Sequence, residues 1–62
     1  MFGEVLFEFR RIGTSVKVSA VDAKTGIEVS IVGSASAPQE MLRRTALAKL
    51  RYVLEKRDKE KA

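Results

Sequence analysis

Glu8 and Glu28 come nearest, by type and spacing, to a pair of reacting side chains. A meander register pairing Ala20 with Ile27 puts both beside Ser19 on one sheet face, roughly 10 Å apart across two strand spacings. That is near the separation of the two carboxyls in an inverting glycosidase. Such chemistry needs a closed site around one of the acids. Nothing near either residue in the sequence supplies a cleft or an apolar wall, so both read as solvated surface. Nucleophilic catalysis fares no better. The chain has no His and no Cys, which removes the usual bases and thiol nucleophiles. Gly33-Ser34-Ala35 is no nucleophile elbow, and no Walker loop or dinucleotide glycine pattern is present. Without Cys there is no disulfide, and without His a zinc site would rest on carboxylates alone. No catalytic, cofactor-binding or metal-ligating residue is assigned, and the expectation is a protein that is not an enzyme.

The remaining chemistry is recognition. Met41, Thr45, Ala48 and Tyr52 are spaced four, three and four residues apart. At 100° per residue they fall within about 60° of one another on a helix. This is a short seam of the kind that pairs helices, flanked by Arg44, Lys49, Arg51 and Lys56, with Glu55 as its one acid. As a site, it predicts partner contacts through Met41, Arg44, Thr45, Ala48, Arg51 and Tyr52. As plain structure, it is a weakly apolar solvent face. Like charges strain a parallel self-pair, so the expected partner is an acidic helix or an antiparallel second copy, which would make a homodimer.

The chain carries 12 Lys and Arg against 8 Asp and Glu, a net charge of +4. The positive charge lies mainly on the helix, at Arg43, Arg44, Lys49, Arg51, Lys56 and Arg57. A nucleic-acid-binding domain using this basic helix face is therefore the alternative. A three-stranded sheet backed by a helix is similar in outline to plant GCC-box-binding domains and to integrase arm-binding domains. A sheet that reads bases should present Arg and Lys, yet here Glu4, Glu8 and Glu28 stand beside Arg10 and Lys17. A protein partner is preferred for that reason. No apolar run is long enough to cross a bilayer, and the first residues lack the basic start and apolar middle of a signal peptide. A cytoplasmic protein without membrane contact is expected.

The elements that must position these residues follow from periodicity. Sixty-two residues make one small domain, 1–62, with a marginal core. Residues 4–11 alternate, with Val5, Phe7 and Phe9 on one face. Residues 15–21 alternate with Val16, Val18 and Ala20 inward, and 27–32 with Ile27, Val29 and Ile31 inward. A Gly13-Thr14 hairpin pairs Phe9 with Val18 and Phe7 with Ala20, since opposed residues share a face. Ser36 is the expected helix cap, with Pro38 in the first turn. A helix over 38–57 turns Leu42, Ala46, Leu47, Leu50, Val53 and Leu54 toward the sheet, and 58–62 is expected to fray. The predicted fold class is α+β, a three-stranded antiparallel β-meander packed on one C-terminal α-helix (β-β-β-α). On its outer face Leu6, Val21, Ile12 and Val32 lie toward the ends, as scattered surface hydrophobes or as a contact with another subunit.

Three stretches, Gly3 to Arg11, Glu28 to Gly33 and Lys49 to Leu54, resemble a family of short uncharacterised alphaproteobacterial proteins classed as a domain of unknown function. The resembling motifs are mainly strand and helix core residues. The resemblance implies no activity.

Overall fold

The computed structural model describes residues 4–61, with the backbone alone at 60 and 61. Three strands, β1 (Val5–Ile12), β2 (Ser15–Asp22) and β3 (Glu28–Ser34), form an antiparallel sheet in the order β1-β2-β3, and helix α1 (Gln39–Lys61) follows. This is the α+β meander with one C-terminal helix that the alternation of the first half and the 3.6-residue period of the second dictate.

The first hairpin turns at Gly13-Thr14. Gly13 sits at φ +62°, the left-handed conformation that the first loop residue of a type II′ hairpin needs. Phe9 pairs with Val18, Phe7 with Ala20 and Leu6 with Val21, as the parity of the inward residues requires.

The second hairpin is wider than its sequence reading. Val18 pairs with Ile31 and Ala20 with Val29, a shift of two residues that keeps every side chain on its face. The cause is turn chemistry. Asp22 Oδ2 accepts hydrogen bonds from the Thr25 N–H (3.0 Å) and the Thr25 hydroxyl (2.7 Å). The Gly26 N–H donates to Asp22 O (2.8 Å), the Asp22 N–H donates to Ile27 O (2.9 Å), and Gly26 takes φ +76°. Four residues thus close the loop, and Ile27 falls outside the strand it was expected to open.

β3 also runs further than expected, through Gly33 to Ser34. Gly33 faces inward opposite Val16, and a methyl added there would land inside van der Waals contact of Leu42 Cδ2. The glycine lets the first turn of α1 sit directly on the sheet. Ser36 does not cap the helix. Its hydroxyl pairs with that of Ser34 (2.8 Å), and the Ala37 N–H donates to Ser34 O (3.0 Å), closing a turn. Pro38 O instead accepts from the N–H groups of Met41 (3.1 Å) and Leu42 (3.2 Å).

Val18, Ala20, Leu42, Ala46 and Leu50 form the buried core. The helix meets the sheet along a 42-46-50-54 line, with Leu54 half-buried against the core cluster. Leu47 and Val53, expected in the stripe, are half-buried on its flanks. The helix lies over β2 and β3, so Val5, Phe7 and Phe9 on β1 are half-covered rather than enclosed.

α1 has 23 residues, about 35 Å at 1.5 Å each, against roughly 26 Å for an eight-residue strand. It overhangs the sheet and gives the molecule its 42 Å long axis. The helix continues past Arg57, where fraying was expected, to Lys61. Lys, Arg and Glu are good helix formers, and Glu55 stands four residues before Lys59, a favourable spacing. Ala62, the end of the expected frayed tail, lies outside the described residues.

Candidate interaction surface

Among the described residues, two faces of this fold carry no second layer: the outward side of α1 and the outer side of the sheet. Because Leu42, Ala46 and Leu50 fix the rotation of the helix, residues roughly opposite them must face solvent. Met41, Arg44, Thr45, Ala48, Arg51 and Tyr52 are all exposed, Met41 to 52% and Tyr52 to 64%. The Thr45 hydroxyl donates to Met41 O (3.0 Å). That bond turns the polar atom back onto the helix and leaves the methyl group outward.

Of the flanking cations, Lys49 is not part of this stripe. Its Nζ donates to Ser30 O (2.9 Å) at the outer edge of β3, tying helix to sheet. Arg43 is turned to the opposite side. Its guanidinium carbon lies 5.7 Å from the centroid of the Phe7 ring, within cation–π range, and its Nη2 approaches Glu40 Oε2 at 3.6 Å. Two cations of the helix thus hold structure, one along each side. Sequence reasoning missed both roles, because nothing in the periodicity tells which strands the helix lies over.

The observed register separates the two carboxylates that came nearest to a reaction centre. Glu8 pairs with Ser19, but Glu28 pairs with Val21, one row away. Both are exposed. An open depression of about 330 Å³ lies at the other end of the sheet, lined by Arg11, Thr14, Ser34, Ala35 and Ser36. The Arg11 guanidinium is already engaged there, its Nε donating to Gly13 O (3.0 Å). No sequence motif marks this depression.

No described helix is long and apolar enough to cross a membrane. No curated protein matches the chain, and no solved structure does. A family model described as "Domain of unknown function (DUF6898)" matches residues 2–57, a description without taxonomic assignment. That match spans most of the sequence and includes all three strands and the sheet-facing part of α1, and the chain accordingly belongs to this family of domains of unknown function.

Proposed function

We propose that this domain is a non-catalytic protein-interaction module that docks an acidic helix along the outward face of α1. The observation that supports this reading is the exposure of Met41 and Tyr52 on one line of a helix whose opposite side is held by the sheet. They are eleven residues apart, about 16 Å along the axis, with the small Thr45 and Ala48 between them. Large ends and a small middle make a shallow groove that admits another helix closely. Tyr and Met are enriched in interfaces, and Arg44 and Arg51 beside the groove favour acidic side chains on the partner. Parallel self-pairing would bring these arginines together, so a second copy fits this face only in the antiparallel sense.

The test is a titration of the isotope-labelled domain with two designed amphipathic helical peptides. They share an apolar stripe and differ in their flanks, Glu in one and Lys in the other. The Glu peptide should shift the backbone resonances of residues 41, 45, 48 and 52 and leave those of β1 unmoved. Equal binding of both peptides would remove the charge argument. No response to either peptide contradicts the docking surface itself. A duplex DNA arm checks the alternative that the basic helix face binds nucleic acid. Phosphate contacts weaken steeply with salt, and DNA binding that persists at physiological salt while the Glu peptide fails would favour that reading.

A further inference from the structure

We propose that the open outer face of the sheet is a weak self-association surface, on which a second copy of this chain stacks face to face about a two-fold axis running across the strands. The proposal concerns a different face from the helix groove and does not rest on it.

Charge placement carries the argument. The paired rows of this face hold two acids, Glu8 and Glu28, and two bases, Arg10 and Lys17. Within these rows the charges cancel, with Glu4 just beyond them, while the whole chain carries +4. Within the sheet these charges are badly matched. Arg10 stands directly opposite Lys17, a like-charge pair that disfavours the sheet. Glu8 faces Ser19 and Glu28 faces Val21. Among the described residues, none of the four enters an ion pair within the chain.

A two-fold axis across the strands, passing between the Glu8 row and the Arg10 row, reverses the order of rows on the second copy. Glu8 then meets Arg10 of the other copy, and Leu6 meets its Ile12, each twice by symmetry. The Arg10–Lys17 conflict gains an acid. Leu6 and Ile12, 52% and 62% exposed, gain apolar neighbours. Lys17 of the other copy lies over Ser19, whose small side chain sits low among longer ones at 7% exposure. A two-fold axis along the strands would instead stack Lys17 on Lys17. The charges therefore select one of the two face-to-face dimers.

Area sets the strength. Strands of eight, eight and seven residues offer a face of roughly 14 by 26 Å, about 360 Å² per copy in plan. A standard stable interface buries about 800 Å² per partner. The dimer is accordingly weak, forming at high micromolar to millimolar concentration.

Sedimentation equilibrium up to about millimolar concentration tests this. The wild-type chain should show a reversible dimer. Glu8→Arg and Arg10→Glu should each weaken it by about tenfold or more, through like charges across the interface. The combined Glu8→Arg, Arg10→Glu swap should restore it. In a mixed-label sample, Leu6 and Ile12 methyls should show contacts between copies. Within one chain they lie about 20 Å apart along β1, too far for such a signal. A strictly monomeric chain, single reversals without effect, or a swap that fails to restore association would each overturn the proposal. A dimer abolished by Tyr52→Glu with Ala48→Glu would overturn it as well, by moving the contact to the helix.

Discussion

Gly33→Ala puts a single methyl group where α1 touches β3. In the native chain that methyl falls on Leu42 Cδ2, and Leu42 is buried at 7% exposure, with little room to turn away. Overpacking of this kind costs about 1–3 kcal/mol. Removing a strand glycine returns about 0.5–1 kcal/mol of backbone entropy. The net loss expected is about 0–2.5 kcal/mol, and for a domain of this size each kcal/mol lowers Tm by about 4–8 °C. Leu42→Val takes away the clashing Cδ2 for a net loss of one methylene, costing about 0.8 kcal/mol in transfer alone. In that background the sign should reverse. The new methyl enters vacated space, the next contact being the Cγ position at 3.7 Å, and Gly33→Ala should then be neutral or stabilising. Urea unfolding of the four proteins in the cycle gives a coupling energy, expected at about 1–3 kcal/mol. A Gly33→Ala cost that is the same in both backgrounds would refute the direct seating of Leu42 on Gly33.

Three further outcomes follow from the same packing. Leu50→Ala, at a site with no exposure, should cost about 2–5 kcal/mol in chemical denaturation, and Phe7→Ala less than the 3–5 kcal/mol of a fully enclosed Phe, because its ring is half-covered. Asp22→Ala deletes both Thr25 hydrogen bonds and should cost about 1–3 kcal/mol; Asp22→Asn, which keeps an acceptor, should lose less in the same thermal melt. Tyr52→Glu with Ala48→Glu should leave the circular dichroism spectrum and Tm nearly unchanged, since both side chains face solvent; a cooperative loss of structure would mean that they pack against the sheet.

The fold was legible because two periods divide the chain, and parity alone placed Val5, Phe7, Phe9, Val16, Val18 and Ala20 on one face. Parity cannot detect a shift of two residues, which is why the second register slipped. That register is decided by the Asp22 carboxylate gathering Thr25, an interaction of side-chain geometry rather than of pattern. The same limit applies to Ser36, which looks like a cap in the sequence but serves a turn two residues too early. At the candidate surface, the exposure of Met41, Thr45, Ala48 and Tyr52 followed from helical spacing opposite Leu42, Ala46 and Leu50. The separate duties of Arg43 and Lys49 did not, because they depend on the helix lying over β2 and β3 rather than centrally. Leu47 and Val53 leave the core line for reasons of placement too: both stand half-buried on the flanks of the 42-46-50-54 line.

Site-directed photo-crosslinking in the native cell tests the docking claim most directly. A benzophenone amino acid is placed at position 52, or at position 17 on the sheet as control, and adducts are sequenced by mass spectrometry. The account predicts a protein adduct from position 52, mapped to an acidic helical segment of the partner and absent when Ala48→Glu is added. Position 17 should give no such adduct, only copies of this chain. An adduct with the same partner from position 17 but not from 52, or nucleic acid as the sole adduct at 52, would contradict it.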